Sequence, residues 1–112
     1  MRIAVVGPCS SGKSTIVERL RERGFDAYAV SQEHSIISRL WDHRSPDRLV
    51  YLHVDYEIVQ QRRGPNWPRW IYDAQIERLR DASDHATIVL DTGKFGVDET
   101  VERIARAVGQ PD

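Results

Sequence analysis

Short apolar runs alternate along the chain with stretches whose apolar residues recur every three or four positions. Ile3-Ala4-Val5-Val6 is continuous and β-branched, as expected of a strand buried on both faces. Ile16, Val17 and Leu20 then form one stripe at helical spacing, and Gly24 is placed to end that helix. Phe25 to Val30 predict a second strand, and Ile36, Ile37, Leu40 and Trp41 predict a helix over 34–41. Ser45-Pro46-Asp47 mark a turn before Leu49 to Val54, the strongest strand pattern in the chain. Asp55 is positioned to cap a short helix through about Arg63, after which Gly64-Pro65-Asn66-Trp67-Pro68 break the chain into a loop. Tyr72, Ile76 and Leu79 predict a helix from about Arg69 to Ser83, and Thr87 to Leu90 a fourth strand. Asp98 is the expected cap of a final helix with Val101, Ile104, Ala105 and Val108 on one face.

Strands alternating with helices predict βαβ units and a parallel sheet between two helical layers, a three-layer α/β/α domain. At 112 residues the chain makes one domain with one core, spanning 1–112. No repeat, low-complexity segment or linker divides it. Apolar and charged fractions of 40% and 29% are those of a soluble globular protein. A net charge of −1 gives no general attraction to nucleic acid or anionic membranes. The lone Cys9 has no internal disulfide partner, and no apolar run approaches the roughly 18 residues of a membrane span. Ile3 to Val6 lead straight into a glycine-rich loop instead of a signal-peptide cleavage site. These features predict a cytoplasmic protein with no membrane partner.

That loop carries the chemistry. Gly7-Pro8-Cys9-Ser10-Ser11-Gly12-Lys13-Ser14-Thr15 fits the phosphate-binding pattern G-x-x-x-x-G-K-S/T. It also stands where the pattern works, between a strand and a helix. Backbone N–H groups of such a loop surround an anionic oxygen, and the helix N-terminus adds partial positive charge. Lys13 is placed to reach the β- and γ-phosphates, and the Ser14 hydroxyl to hold Mg²⁺. Gly7, Cys9, Ser10, Ser11, Gly12, Lys13, Ser14 and Thr15 are therefore the expected nucleotide-binding residues. Cys9 occupies a variable position where a small residue fits. A helix N-terminus lowers a thiol's pKa, which leaves a redox-sensitive role as the alternative.

With this loop, two further segments give the chain a resemblance to the P-loop nucleoside and nucleotide kinases, the adenylate kinase-like and shikimate kinase-like enzymes. Tyr51-Leu52-His53-Val54-Asp55 followed by Arg62-Arg63 is similar to the strand, helix and arginine run that leads into their mobile lid. Ile88-Val89-Leu90-Asp91-Thr92 is similar to the strand and loop beneath the adenine ring. The resemblance spans most of the chain, which looks like a compact, short member. Only residues 31–48 occupy the space where those enzymes carry a Walker B strand and an acceptor-binding segment. The fold expected is therefore a P-loop NTPase domain with a mostly parallel sheet of about four strands, in the order 2-1-3-4.

That order brings Glu33 toward Mg²⁺ or the attacking group, with His34 beside it; the competing reading makes Glu33 a helix cap and His34 a solvated side chain. Asp55 mimics a Walker B acid, but its capping position accounts for it. The resemblance implies that Arg62, Arg63 and Arg69 belong to a short lid, with Lys13, Glu33, Arg62 and Arg63 catalytic and Arg63 and Arg69 also holding nucleotide. An ordinary basic loop packed by Trp67 and Trp70 is the plain alternative. Arg78 and Arg80 are expected to pair locally with Glu77 and Asp81. Thr92 and Gly93 are expected against the base. Absence of an Asn-Lys-x-Asp sequence favours ATP over GTP.

The expected function is a minimal ATP- and Mg²⁺-dependent phosphotransferase or ATPase acting on a small-molecule acceptor. The alternative is a nucleotide-binding regulatory module with little or no turnover. A nucleic-acid role for the basic, aromatic stretch Arg62 to Tyr72 runs against the net charge. A sheet this small leaves edges that a second copy could cover, so a homodimer is compatible with the pattern.

Overall fold

A computed structural model describes residues 1–110. Strands β1 (Arg2–Val6), β2 (Asp26–Ala29), β3 (Arg48–His53) and β4 (Ile88–Asp91) form one sheet. All pairings are parallel and the order is β2-β1-β3-β4, as the sequence predicts. Helix α1 (Lys13–Glu22) connects β1 to β2, helices α2 (Tyr56–Arg63), α3 (Arg69–Arg78) and α4 (Arg80–His85) connect β3 to β4, and α5 (Val97–Val108) follows β4.

The continuous apolar run of β1 divides its side chains between two cores. Ile3 and Val5 join Ile16 and Leu20 of α1 and Val101 and Ile104 of α5 on one face. Ala4 and Val6 join Trp41, Leu79 and Ala82 on the other. A strand covered on both sides has no polar alternation to show. Helix α1 ends with a paired cap, in which Phe25 N–H donates to the Leu20 carbonyl and Gly24 N–H to that of Arg21. Phe25 and Leu20 meet in the first core, so the cap turns the chain directly into β2.

The helix expected over 34–41 does not form. Two single 3₁₀ turns, Gln32–His34 and Leu40–Asp42, take its place. The cause is Gln32, whose fully buried side chain occupies the backbone groups that a helix would pair. Its Nε2 donates to the Ile37 carbonyl at 2.7 Å, and its Oε1 accepts the Trp41 N–H at 2.9 Å. Ile36 is left 91% exposed, and of the supposed stripe only Trp41 is buried.

The helix expected over 69–83 is broken at Leu79, whose N–H is shared between the carbonyls of Gln75 and Ile76. That break lets the buried Leu79 and Ala82 face the second core. Asp98 lies in the first turn of α5, with Gly96 at the cap, and its carboxylate accepts from Arg19 at 2.8 Å. Asp55 does stand at the cap position of α2. Its side chain, however, meets His53 Nε2 at 2.8 Å instead of the helix N–H groups.

Replacing Gln32 with Leu strands the buried Trp41 N–H and leaves the Ile37 carbonyl with only the Leu40 N–H. The expected loss is about 2 kcal/mol, which lowers the melting temperature by roughly 10 °C. Thermal unfolding followed by circular dichroism measures this, and an unchanged midpoint would show that Gln32 does not hold the segment.

Candidate functional site

The sheet delivers three chain segments to one edge. The first is the loop between β1 and α1. A Cβ on Gly7 would lie 2.4 Å from the Leu52 carbonyl oxygen and 2.7 Å from Ser11 Oγ, so only glycine lets the loop leave β1 this close to β3. Gly12 caps α1 in the left-handed region at φ 90°, and its carbonyl accepts the Ile16 N–H at 3.0 Å. The first turn of α1 holds no acidic residue, so its partial positive charge is uncompensated from within. Ser14 and Thr15 are exposed in that turn.

The second segment is the turn after β2. Lys13 Nζ donates to the Gly7 carbonyl at 2.7 Å and to Glu33 Oε2 at 2.5 Å. The two side chains are 12% and 4% exposed, which makes this a buried ion pair. The pair exists because β2 lies beside β1 and ends near the loop. Among the described residues, Glu33 Oε1 is buried without a hydrogen-bond partner, as is Ser11 Oγ. Glu33 thus caps no helix, and its buried side chain faces the loop lysine.

Helix α3 braces both segments, which the sequence does not announce. Gln75, itself buried, accepts the Cys9 N–H at 2.9 Å through Oε1 and approaches Cys9 Sγ at 3.1 Å through Nε2. Arg78 donates to the Glu33 carbonyl at 3.1 Å rather than pairing on the surface. Arg80 does make the expected surface pair, with Glu77 at 2.7 Å. The Tyr72 hydroxyl donates to the Val54 carbonyl at 2.7 Å and anchors the same helix beyond β3. Burial, with Asp55 adding to it, raises the Tyr72 pKa, and burial pushes Tyr51 up to about 12, so both hydroxyls stay protonated at neutral pH.

The third segment brings the arginines. Arg62 donates to the Ser10 carbonyl at 2.5 Å and to the Thr92 carbonyl at 2.8 Å. Arg63 Nε donates to Ser10 Oγ at 2.7 Å while its guanidinium lies over Trp67. A cleft of about 420 Å³ opens beside the loop, lined by Ser11, Thr15, Arg62, Thr92, Phe95 and Thr100 among others.

Of the predicted residues, Gly7, Cys9, Lys13, Ser14, Glu33, Arg63, Arg69 and Gly93 do not line the cleft, and the last two turn to other partners. Arg69 lies over the Tyr56 ring and faces Asp73 at 3.7 Å. Gly93 sits in a turn where its N–H meets Asp91 Oδ1 at 2.8 Å, with Ile58 packed against it. Trp70 is 72% exposed, so of the two tryptophans only Trp67 helps to pack the 64–68 loop. No helix among the described residues is long and apolar enough to cross a membrane.

Together these features define a three-layer α/β/α domain with a glycine-rich strand-to-helix loop at the sheet's carboxyl edge. The fold is similar to that of the YorR protein of Bacillus subtilis, solved in complex with phosphorylated GDP. The two share a TM-score of 0.68 and 18% identity over 96% of this chain and 95% of that one. No protein-family model matches the chain, and no curated protein does.

Glu33→Gln leaves the Lys13 ammonium nearly buried without its carboxylate and should cost about 3 kcal/mol. The double variant Lys13→Met, Glu33→Gln removes both charges and should recover most of that loss. Denaturant unfolding of Glu33→Gln, Lys13→Met and the double variant tests the pair, and strictly additive losses would argue against it.

Proposed function

We propose that the chain binds a nucleoside triphosphate at the Gly7–Thr15 loop and acts as a minimal kinase-like phosphotransferase or ATPase. The observation that carries this reading is Lys13, held at the mouth of a helix N-terminus by one carbonyl and one carboxylate. Phosphate oxygens offer that ammonium an equivalent set of acceptors. The residues also fit the expected ligands. Loop amides and the α1 terminus favour an anion, and the unpartnered Ser11 and Glu33 oxygens leave polar capacity to use.

Ser14 and Glu33 would hold Mg²⁺, which takes oxygen donors and supplies neutralising charge for phosphate oxygens when bound. Arg62 and Arg63 carry the planar donors suited to a polyphosphate, and Ser10 keeps both within reach of the loop. The cleft between Thr15, Thr92 and Phe95 suits a ribose and base. ATP is the base assignment drawn from the sequence, and YorR's phosphorylated GDP supports the wider class of purine nucleotides.

The short region between β2 and β3 favours a second reading, a nucleotide-responsive binding module. Two 3₁₀ turns packed by Gln32 leave little chain to form an acceptor pocket.

Calorimetry with ATP and GTP in Mg²⁺, followed by an ADP- or GDP-release assay across nucleosides, nucleotides and hydroxylated metabolites, separates the two. Acceptor-dependent release supports the phosphotransferase; binding without turnover across the panel supports the module. Lys13→Ala should weaken triphosphate binding roughly 10- to 100-fold. Unchanged affinity would overturn both readings.

A further inference from the structure

Cys9, Glu33 and His34 bring a thiol, a carboxylate and an imidazole together, with one ligand atom from each inside a 4.8 Å span. Cys9 Sγ lies 3.7 Å from His34 Nε2, and His34 Nε2 lies 3.8 Å from Glu33 Oε2. Tetrahedral zinc, with bonds of roughly 2.3 Å to sulfur and 2.0 Å to nitrogen, sets an S···N edge of about 3.5 Å. The Cys9–His34 separation is therefore already close to that of a loaded site.

A second observation is independent of this spacing. Glu33 is 3% exposed, and its Oε1 has no hydrogen-bond partner among the described residues while Oε2 is held by Lys13. A buried carboxylate oxygen with nothing to accept from is a costly arrangement that a cation relieves.

We propose that Cys9 Sγ, His34 Nε2 and Glu33 form a site for a thiophilic divalent cation of the zinc class, joining the loop to the turn after β2. The donor set selects the metal: thiolate and imidazole suit Zn²⁺ and Co²⁺, whereas Mg²⁺ and Ca²⁺ take oxygen. On binding, the Cys9 proton leaves to solvent and the thiolate becomes a ligand.

Two contacts from α3 prepare the site. Gln75 directs an N–H at Cys9 Sγ and also fixes the Cys9 backbone, and Arg78 holds the Glu33 carbonyl. Such outer contacts orient ligands and tune their affinity. The Glu33 oxygen that lies toward His34 is Oε2, so the cation shares this carboxylate with Lys13. His34 is 58% exposed at the side chain, which leaves the site open to entering metal and to a fourth ligand from water.

The site stands on these three side chains and does not require nucleotide binding. Its test uses the full chain stripped of metal by chelation, then titrated with Zn²⁺ in competition with a chromophoric chelator, and with Co²⁺ by absorption spectroscopy. Expected are one Zn²⁺ per chain, not displaced by excess Mg²⁺ because Mg²⁺ gains only the shared carboxylate and neither thiolate nor imidazole, and a thiolate-to-cobalt charge-transfer band with tetrahedral d–d bands. Cys9→Ser should abolish the charge-transfer band. His34→Ala, at an exposed position that does not threaten folding, should weaken Zn²⁺ by about tenfold or more. A cobalt spectrum without the thiolate band, or zinc affinity unchanged in His34→Ala, would overturn the proposal whether or not ATP binds.

Discussion

One ammonium group organises this domain. Lys13 starts α1 with its charge almost out of water, and such a charge must be met by fixed partners or the arrangement is unstable. Its partners are the first residue after β1 and an acid just after β2. Those two segments are neighbours only because β2 and β1 pair in parallel, with the switch in strand order falling between β1 and β3. The ion pair and the topology therefore support each other. Helix α3 completes the frame from below, through Gln75 to the loop and Arg78 to the turn.

The parts of this arrangement that were legible in the sequence are those whose cause is local. The central strands β1 and β3, buried on both faces, are written as continuous apolar runs, the edge strands β2 and β4 as shorter runs between turn residues, and the short interval 31–48 correctly constrained the sheet order. The glycine-rich loop was readable because Gly7 and Gly12 answer two separate local demands: close approach to β3 and a left-handed backbone.

What was not legible depends on side chains acting at a distance. Nothing in the spacing of Ile36, Ile37, Leu40 and Trp41 reveals that Gln32 will take the backbone groups of a helix and leave Ile36 in water. Arg78 and Arg80 look equivalent as letters. Two positions of helix rotation and the break at Leu79 send one to the Glu33 carbonyl and the other to a surface glutamate.

The way the cations are held bears on what the edge of the sheet can accept. Arg62 and Arg63 rest on neutral oxygens, the carbonyls of Ser10 and Thr92 and the Ser10 hydroxyl, whereas Lys13 rests partly on a full negative charge. An incoming polyanion competes easily with neutral acceptors, because it adds the attraction of opposite full charges to the hydrogen bonds that the guanidinium groups make. Against Glu33 it holds no such advantage, and the two negative charges repel. A cation on the free Glu33 oxygen removes that repulsion and weakens the hold of Glu33 on Lys13, so it favours the anion. Reciprocity then requires the anion to favour the cation by the same factor. Under the proposed reading, whichever cation takes that oxygen, the buried carboxylate would couple metal and anion binding at this loop. That coupling follows from burying Lys13 and Glu33 together beside a helix terminus.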